Sequence, residues 1–119
     1  MNPILEALET EHGGMREWFE HLHRHPELSM QEQATARYIA ELVRQWGYEV
    51  ETGIGTHGIV ASMTVGDGGR AIGLRADFDA LPIHEVNDLA YRSAVDGVAH
   101  LCGHDAHTTM LLAAGKYLA

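Results

Sequence analysis

The stretch GIVASMTVGDGGRAIGLRAD, residues 58–77, decides the fold class. Before it, apolar residues recur at helical spacing; within it, the period changes. Gly58–Val65 and Ala71–Asp77 read as two strands, and Gly66-Asp67-Gly68-Gly69 reads as the hairpin turn between them. That glycine run is a turn and not a phosphate loop, because no helix follows it. Tyr48–Glu51 supplies a further short strand.

Working upstream, Asn2 and Pro3 predict a helix start, with asparagine as N-cap and proline in the first helical position. Leu5, Leu8, Met15, Trp18, Phe19 and Leu22 then share a helical face. Gly13-Gly14 weakens its middle and predicts a bend or split. His25-Pro26 ends the segment, since a residue before proline avoids the helical region. Ser29-Met30-Gln31-Glu32 fits a capping box for a second helix. Its apolar face is Tyr38, Ile39, Leu42, Val43 and Trp46, and Gly47 stands where a left-handed C-cap belongs. Trp18 and Trp46 belong to the core. Downstream, residues 84–97 are polar and irregular, and Thr108–Ala119 reads as a helix rich in Ala, Leu and Met. The order of two helices, three strands and a helix implies an α/β domain.

A chain of 119 residues can bury one modest core. Its formal charge of −9 disfavours nucleic acid and anionic membranes as partners. No apolar run reaches bilayer-spanning length, and the N-terminus lacks the basic start and apolar core of a secretory signal. A cytoplasmic location is therefore expected. The single cysteine cannot form an internal disulfide, in keeping with a reducing compartment.

Two clusters carry chemistry. The first is His100-Leu101-Cys102-Gly103-His104-Asp105-Ala106-His107, which holds the only cysteine and three histidines in eight residues. In an extended segment, Cys102 and His104 would point to one side and could share a metal ion. Thiolate with imidazole suits zinc, and also nickel, cobalt or manganese when oxygen ligands complete the shell. The competing reading is a buried structural cysteine beside a surface histidine. Asp105 either caps the final helix or steadies His104. Position alone leaves His107 open as ligand, supporting group or substrate contact. The second cluster, Arg75-Ala76-Asp77-Phe78-Asp79, puts two carboxylates on one face at the carboxyl end of a predicted strand, where ligands sit in open α/β sheets. Close carboxylates repel unless a cation or proton intervenes, and Arg75 could serve instead of a metal. His21, His23 and His25 occupy a helix end favoured by cations and are read as structural.

Three segments in register resemble the M20 metallopeptidase family, in the branch of hippurate hydrolases, N-acyl-amino-acid amidohydrolases and auxin-conjugate (IAA–amino acid) hydrolases. They are His23-Arg24-His25-Pro26-Glu27-Leu28-Ser29 with Glu32; Leu74-Arg75-Ala76-Asp77-Phe78-Asp79-Ala80-Leu81-Pro82-Ile83 with Glu85; and His100 to Thr108. The resemblance implies the N-terminal portion of a zinc-peptidase-like catalytic domain, with helices packed on a mixed sheet. It makes residues 1–119 a partial M20-type domain, truncated before the remaining metal ligands, the glutamate that serves as general base, and the lid that forms dimers. It implies that Cys102 and His104 ligate one of two divalent metal ions (Zn, Mn, Ni or Co) and that Asp79 orients the catalytic groups. Asp77, Asp105 and His107 become supporting or substrate-contacting groups. The implied activity is metal-dependent hydrolysis of the amide bond of small N-acyl amino acids, by relatives that are homo-oligomers. Two alternatives stand beside it: a non-catalytic fragment with at most weak metal binding, and a cysteine hydrolase pairing Cys102 with His100 or His107.

Overall fold

The computed structural model describes residues 2–119. It contains α1 (Pro3–Thr10), α2 (His12–Arg24), α3 (Gln33–Gln45), β1 (Glu49–Ile54), β2 (Gly58–Ser62) and α4 (His104–Leu118). The chain is α/β, as its periodicity predicts.

Local signals at the helix ends behave as expected in three places. The Asn2 side chain accepts a hydrogen bond from the Ile4 N–H at 2.8 Å and caps α1. Arg24 is the last residue of α2, just ahead of His25-Pro26. Gly47, at φ +93°, turns the chain out of α3, with its N–H on the Arg44 carbonyl. The expected split of the first helix occurs at Glu11, just before the glycine pair.

The capping box does not form. Helix α3 starts at Gln33, and no side chain of the Ser29–Glu32 stretch caps it. Glu27 does so from farther upstream: its carboxylate accepts from the Ala34 N–H (3.2 Å), the Thr35 N–H (2.6 Å) and the Thr35 hydroxyl (2.6 Å). A full negative charge at a helix N-terminus does what a neutral cap does and also meets the positive end of the helix dipole.

The predicted hairpin is also replaced. β2 pairs antiparallel with β1, from Glu49 opposite Ser62 to Glu51 opposite Val60, and closes irregularly at Ile54 opposite Gly58. The turn between them runs through Gly53, Gly55 and Thr56, all at positive φ, whereas residues 66–69 join no ladder. β1 is nearer in sequence and reaches β2 through a tighter turn. Residues 71–77 belong to no strand among the described residues, and Ile72 and Leu74 are exposed there. The sheet seen here is thus two-stranded and antiparallel.

Trp18, Ile39, Val43, Leu112 and Ala113 form the buried core, ringed by half-buried side chains that include Trp46, Tyr48 and Phe78. Here α2 packs on α4, and the β1–β2 hairpin packs on α3. The Trp18 and Trp46 rings lie 5.3 Å apart, and the Tyr48 hydroxyl donates to the Gly115 carbonyl at 2.6 Å. Two short bridges stitch the loops below this core. Ala80 N–H bonds to the Glu27 carbonyl (2.8 Å), and Leu81 and Ala99 exchange both backbone hydrogen bonds at 3.0 Å. These bridges bring the segment carrying Asp77 and Asp79 beside the start of α4.

Candidate metal centre

Helix α4 begins at His104, four residues earlier than its sequence pattern suggests. Gly103 makes this possible: at φ +92° it takes a left-handed conformation that an L side chain resists. His104, Asp105 and His107 therefore lie on one helical turn. The alternation that would aim Cys102 and His104 to the same side belongs to an extended segment, which this is not. Cys102 is a free, exposed thiol just before that turn.

The first turn of α4 meets the 77–79 segment. His104 Nδ1 lies 2.9 Å from an Asp79 carboxylate oxygen and 3.0 Å from the Asp79 carbonyl. Both are acceptors, so Nδ1 carries the proton and donates. His104 Nε2 faces an Asp77 carboxylate oxygen at 3.5 Å, and His107 Nδ1 lies 2.8 Å from the other. The Thr108 hydroxyl donates to the Asp77 carbonyl at 2.8 Å and fixes that backbone. Asp77, His104 and His107 each offer one ligand atom, and these atoms all lie within 4.8 Å of one another. The hydrogen bond from His107 outweighs the opposing effect of burial and holds the Asp77 carboxyl below the ordinary carboxylate range. One anionic oxygen and two imidazoles form a donor set suited to a divalent transition metal.

Among the site residues expected from sequence, His104, Asp77, Asp79 and His107 are thus brought together, and Cys102 stands outside the donor group among the described residues. Helix α4 has no side-chain N-cap among the described residues, and the Asp105 carboxylate takes its hydrogen bonds from the Ala106 N–H (3.0 Å) and from His23. It is buried, and its Oδ2 lies 2.8 Å from Nδ1 of His23.

His23 is the residue that sequence reasoning missed. Its Nε2 lies 2.7 Å from Glu85, so the ring sits between two buried carboxylates. Carboxylates only accept, hence both ring nitrogens donate and the ring is an imidazolium. Burial alone would lower its pKa, but the bonds to Asp105 and Glu85 outweigh it and the net shift is upward. For Glu85, burial pushes the pKa up, yet the Ser93 N–H, His23 and Asn87 pull it below its usual value. A signal for His23 existed: it lies four residues after Phe19, on the inward face of α2, and its ring sits 5.8 Å from that of Phe19. His21, by contrast, stacks on Tyr38 at 3.8 Å and serves packing.

His100 is buried, with neither ring nitrogen hydrogen-bonded among the described residues. Burial holds its pKa below the ordinary imidazole value.

Comparison with known proteins bears on this site. Residues 73–119 match the family model described as Peptidase family M20/M25/M40. The chain is 44% identical over 119 residues to a hippurate hydrolase of Campylobacter jejuni, covering 100% of this chain and 31% of that protein. It is 45% identical over 100 residues to an N-acyl-L-amino acid amidohydrolase of Geobacillus stearothermophilus, covering 83% of this chain and 27% of the relative. The solved structure of the Bacillus subtilis YXEP protein, described as a dinuclear metal binding peptidase of the M20 family, superposes with a TM-score of 0.86 at 35% identity, over 92% of this chain and 31% of that one. The chain therefore spans about a third of the length of the relatives it matches.

Proposed function

The chain belongs to the M20/M25/M40 peptidase family, corresponding to the N-terminal part of its members, and from that premise we propose that it supplies part of the metal site of a metal-dependent amidohydrolase. Its substrates are small N-acyl amino acids, hippurate-like or related conjugates. The observation that carries this reading is the convergence of Asp77, His104 and His107 donor atoms at the start of α4.

His104 is a proposed protein ligand, with Asp77 and His107 at the same place as further oxygen and nitrogen donors; Cys102, an exposed thiol outside that group, is proposed as a ligand on the family resemblance alone. Asp79 is the orienting residue. By accepting the Nδ1 proton of His104 it fixes the tautomer and leaves the Nε2 lone pair free for coordination. Asp77, kept anionic by His107, balances the charge of a cation. Asp105 holds the same helical turn from its buried side. When bound, a divalent cation supplies polarisation of an amide carbonyl and a more acidic water. Zinc, manganese, nickel and cobalt all suit the donors.

A second reading is that the 119 residues alone bind metal weakly and hydrolyse nothing. Three gathered donors favour it, since a structural zinc takes four protein ligands. Metal content of the purified chain, measured with zinc and with manganese, separates the two. Stoichiometric metal that falls in both Cys102→Ser and His104→Ala supports the first reading. Unchanged metal content in both variants would remove its basis. Hydrolysis of hippurate and of N-acetyl amino acids by a longer protein carrying this sequence then tests the substrate class.

A further inference from the structure

We propose that His23 is a positioning residue for the candidate site: as an imidazolium held between Glu85 and Asp105, it fixes the first turn of α4 and with it the direction of His104. The proposal rests on the reading of His104 as a ligand for its functional consequence, but not for its structural content.

Three segments far apart in sequence meet at this ring. His23 lies near the end of α2, Glu85 opens the irregular 84–97 loop, and Asp105 is the second residue of α4. All three are buried, and both bonds are short, 2.7 and 2.8 Å. Glu85 also accepts from the Ser93 N–H and from Asn87, so its carboxylate is itself held in place. On the far side, the Thr109 hydroxyl donates to the Asp105 carbonyl at 2.8 Å. Asp105 is flanked in the chain by His104 and lies two residues before His107. A rotation of the Asp105 backbone would therefore swing both imidazoles away from Asp77 and Asp79. A buried ion triad adds little net stability over apolar side chains of equal size. What it adds is direction, because each charge-assisted bond tolerates only a narrow geometry.

The two bonds can be separated by substitution. In His23→Asn, the side-chain amide nitrogen stands near ring Nδ1 and keeps a donor toward Asp105. In His23→Gln, it stands near Nε2 and keeps a donor toward Glu85. Backbone hydrogen exchange of the metal-free chain reads the result, with the amides of α3 as the measure of global stability. The expected result is that His23→Gln speeds exchange at residues 104–109 about tenfold more than at α3, whereas His23→Asn leaves residues 104–109 within about threefold of the parent after the same correction. Should the His23 variants fail to fold, Glu85→Gln gives the complementary test: it frees the 84–97 loop and leaves residues 104–109 protected. Equal loosening of residues 104–109 by His23→Asn and His23→Gln, or loosening that only follows α3, would overturn the proposal, as would loss of protection there in Glu85→Gln. Zinc titration against a chromophoric chelator adds a functional readout, with affinity falling at least tenfold further in His23→Gln than in His23→Asn. Absence of zinc binding in the parent, with the exchange pattern intact, removes the metal reading and leaves the positioning role of His23 standing.

Discussion

Replacing Glu27 by alanine tests how α3 begins. The Glu27 carboxylate is the only side chain that caps the N-terminus of α3 among the described residues, and it takes three hydrogen bonds from Ala34 and Thr35. Loss of a helix cap costs about 1 kcal/mol, with a range of roughly 0.5–2. Bonds to an ionised acceptor are worth about 1.5–3 kcal/mol each when buried, and these are only part-buried. The two 2.6 Å bonds are strong and the 3.2 Å bond weak. Water satisfies the freed donors in part, so Glu27→Ala should cost about 2 kcal/mol. Glu27→Gln keeps one acceptor and loses the charge, and should cost about 1 kcal/mol. Ser29→Ala should change stability by less than about 0.5 kcal/mol, because Ser29 caps nothing. Urea denaturation followed by circular dichroism gives all three from the shift in midpoint at constant slope. A loss below about 0.5 kcal/mol for Glu27→Ala, or a larger loss for Ser29→Ala than for Glu27→Ala, would refute the assignment of the cap.

Three further outcomes are expected. Asp79→Asn should lower metal affinity by about 10- to 100-fold, since it weakens the acceptor that fixes the His104 tautomer; chelator competition measures it, and an unchanged affinity counts against the orienting role. Thr56 sits at φ +98°, so Thr56→Gly should raise stability by about 1 kcal/mol in thermal melts, against the usual penalty for glycine. Stability should also depend on pH in two windows. The pKa of His23 is raised from 6.5, so its contribution is complete below that value and fades as pH rises through the folded value. Glu85 is lowered from 4.5, so its contribution is complete above that value and is lost as pH falls through the folded one. Denaturation between about pH 2 and about pH 9 should show a plateau flanked by both losses, and His23→Phe should abolish the alkaline one.

What the sequence made legible was short-range. The Asn2 cap, the stop at His25-Pro26 and the Gly47 exit depend on neighbours within a few residues, and each appears where the chain predicts it. Partner choice across distance was not legible. Glu27 outcompetes Ser29 from eight residues before Thr35, and β2 turns back to β1 and not forward to residues 71–77. The chemistry of the site was visible as residue types, because Asp77, Asp79, His104 and His107 stand out in two clusters. Its arrangement was not, because one backbone angle at Gly103 converts an expected extended run into a helical turn. Nor could sequence alone join His23 to Glu85, 62 residues on, or to Asp105, 82 residues on.

The bridge between Leu81 and Ala99 has a consequence for how the centre can vary. Ala99 is wholly inaccessible, and Ala80, next to Asp79, is 3% exposed. Both small side chains therefore lie, buried, at the join between the acidic segment and the stretch that leads into α4. A larger side chain at either alanine would act as a wedge and push the carboxylates away from the imidazoles without altering a single donor. Tolerance at positions 80 and 99 should consequently track the width of the cation's berth, and two alanines that carry no chemistry become the residues that calibrate it.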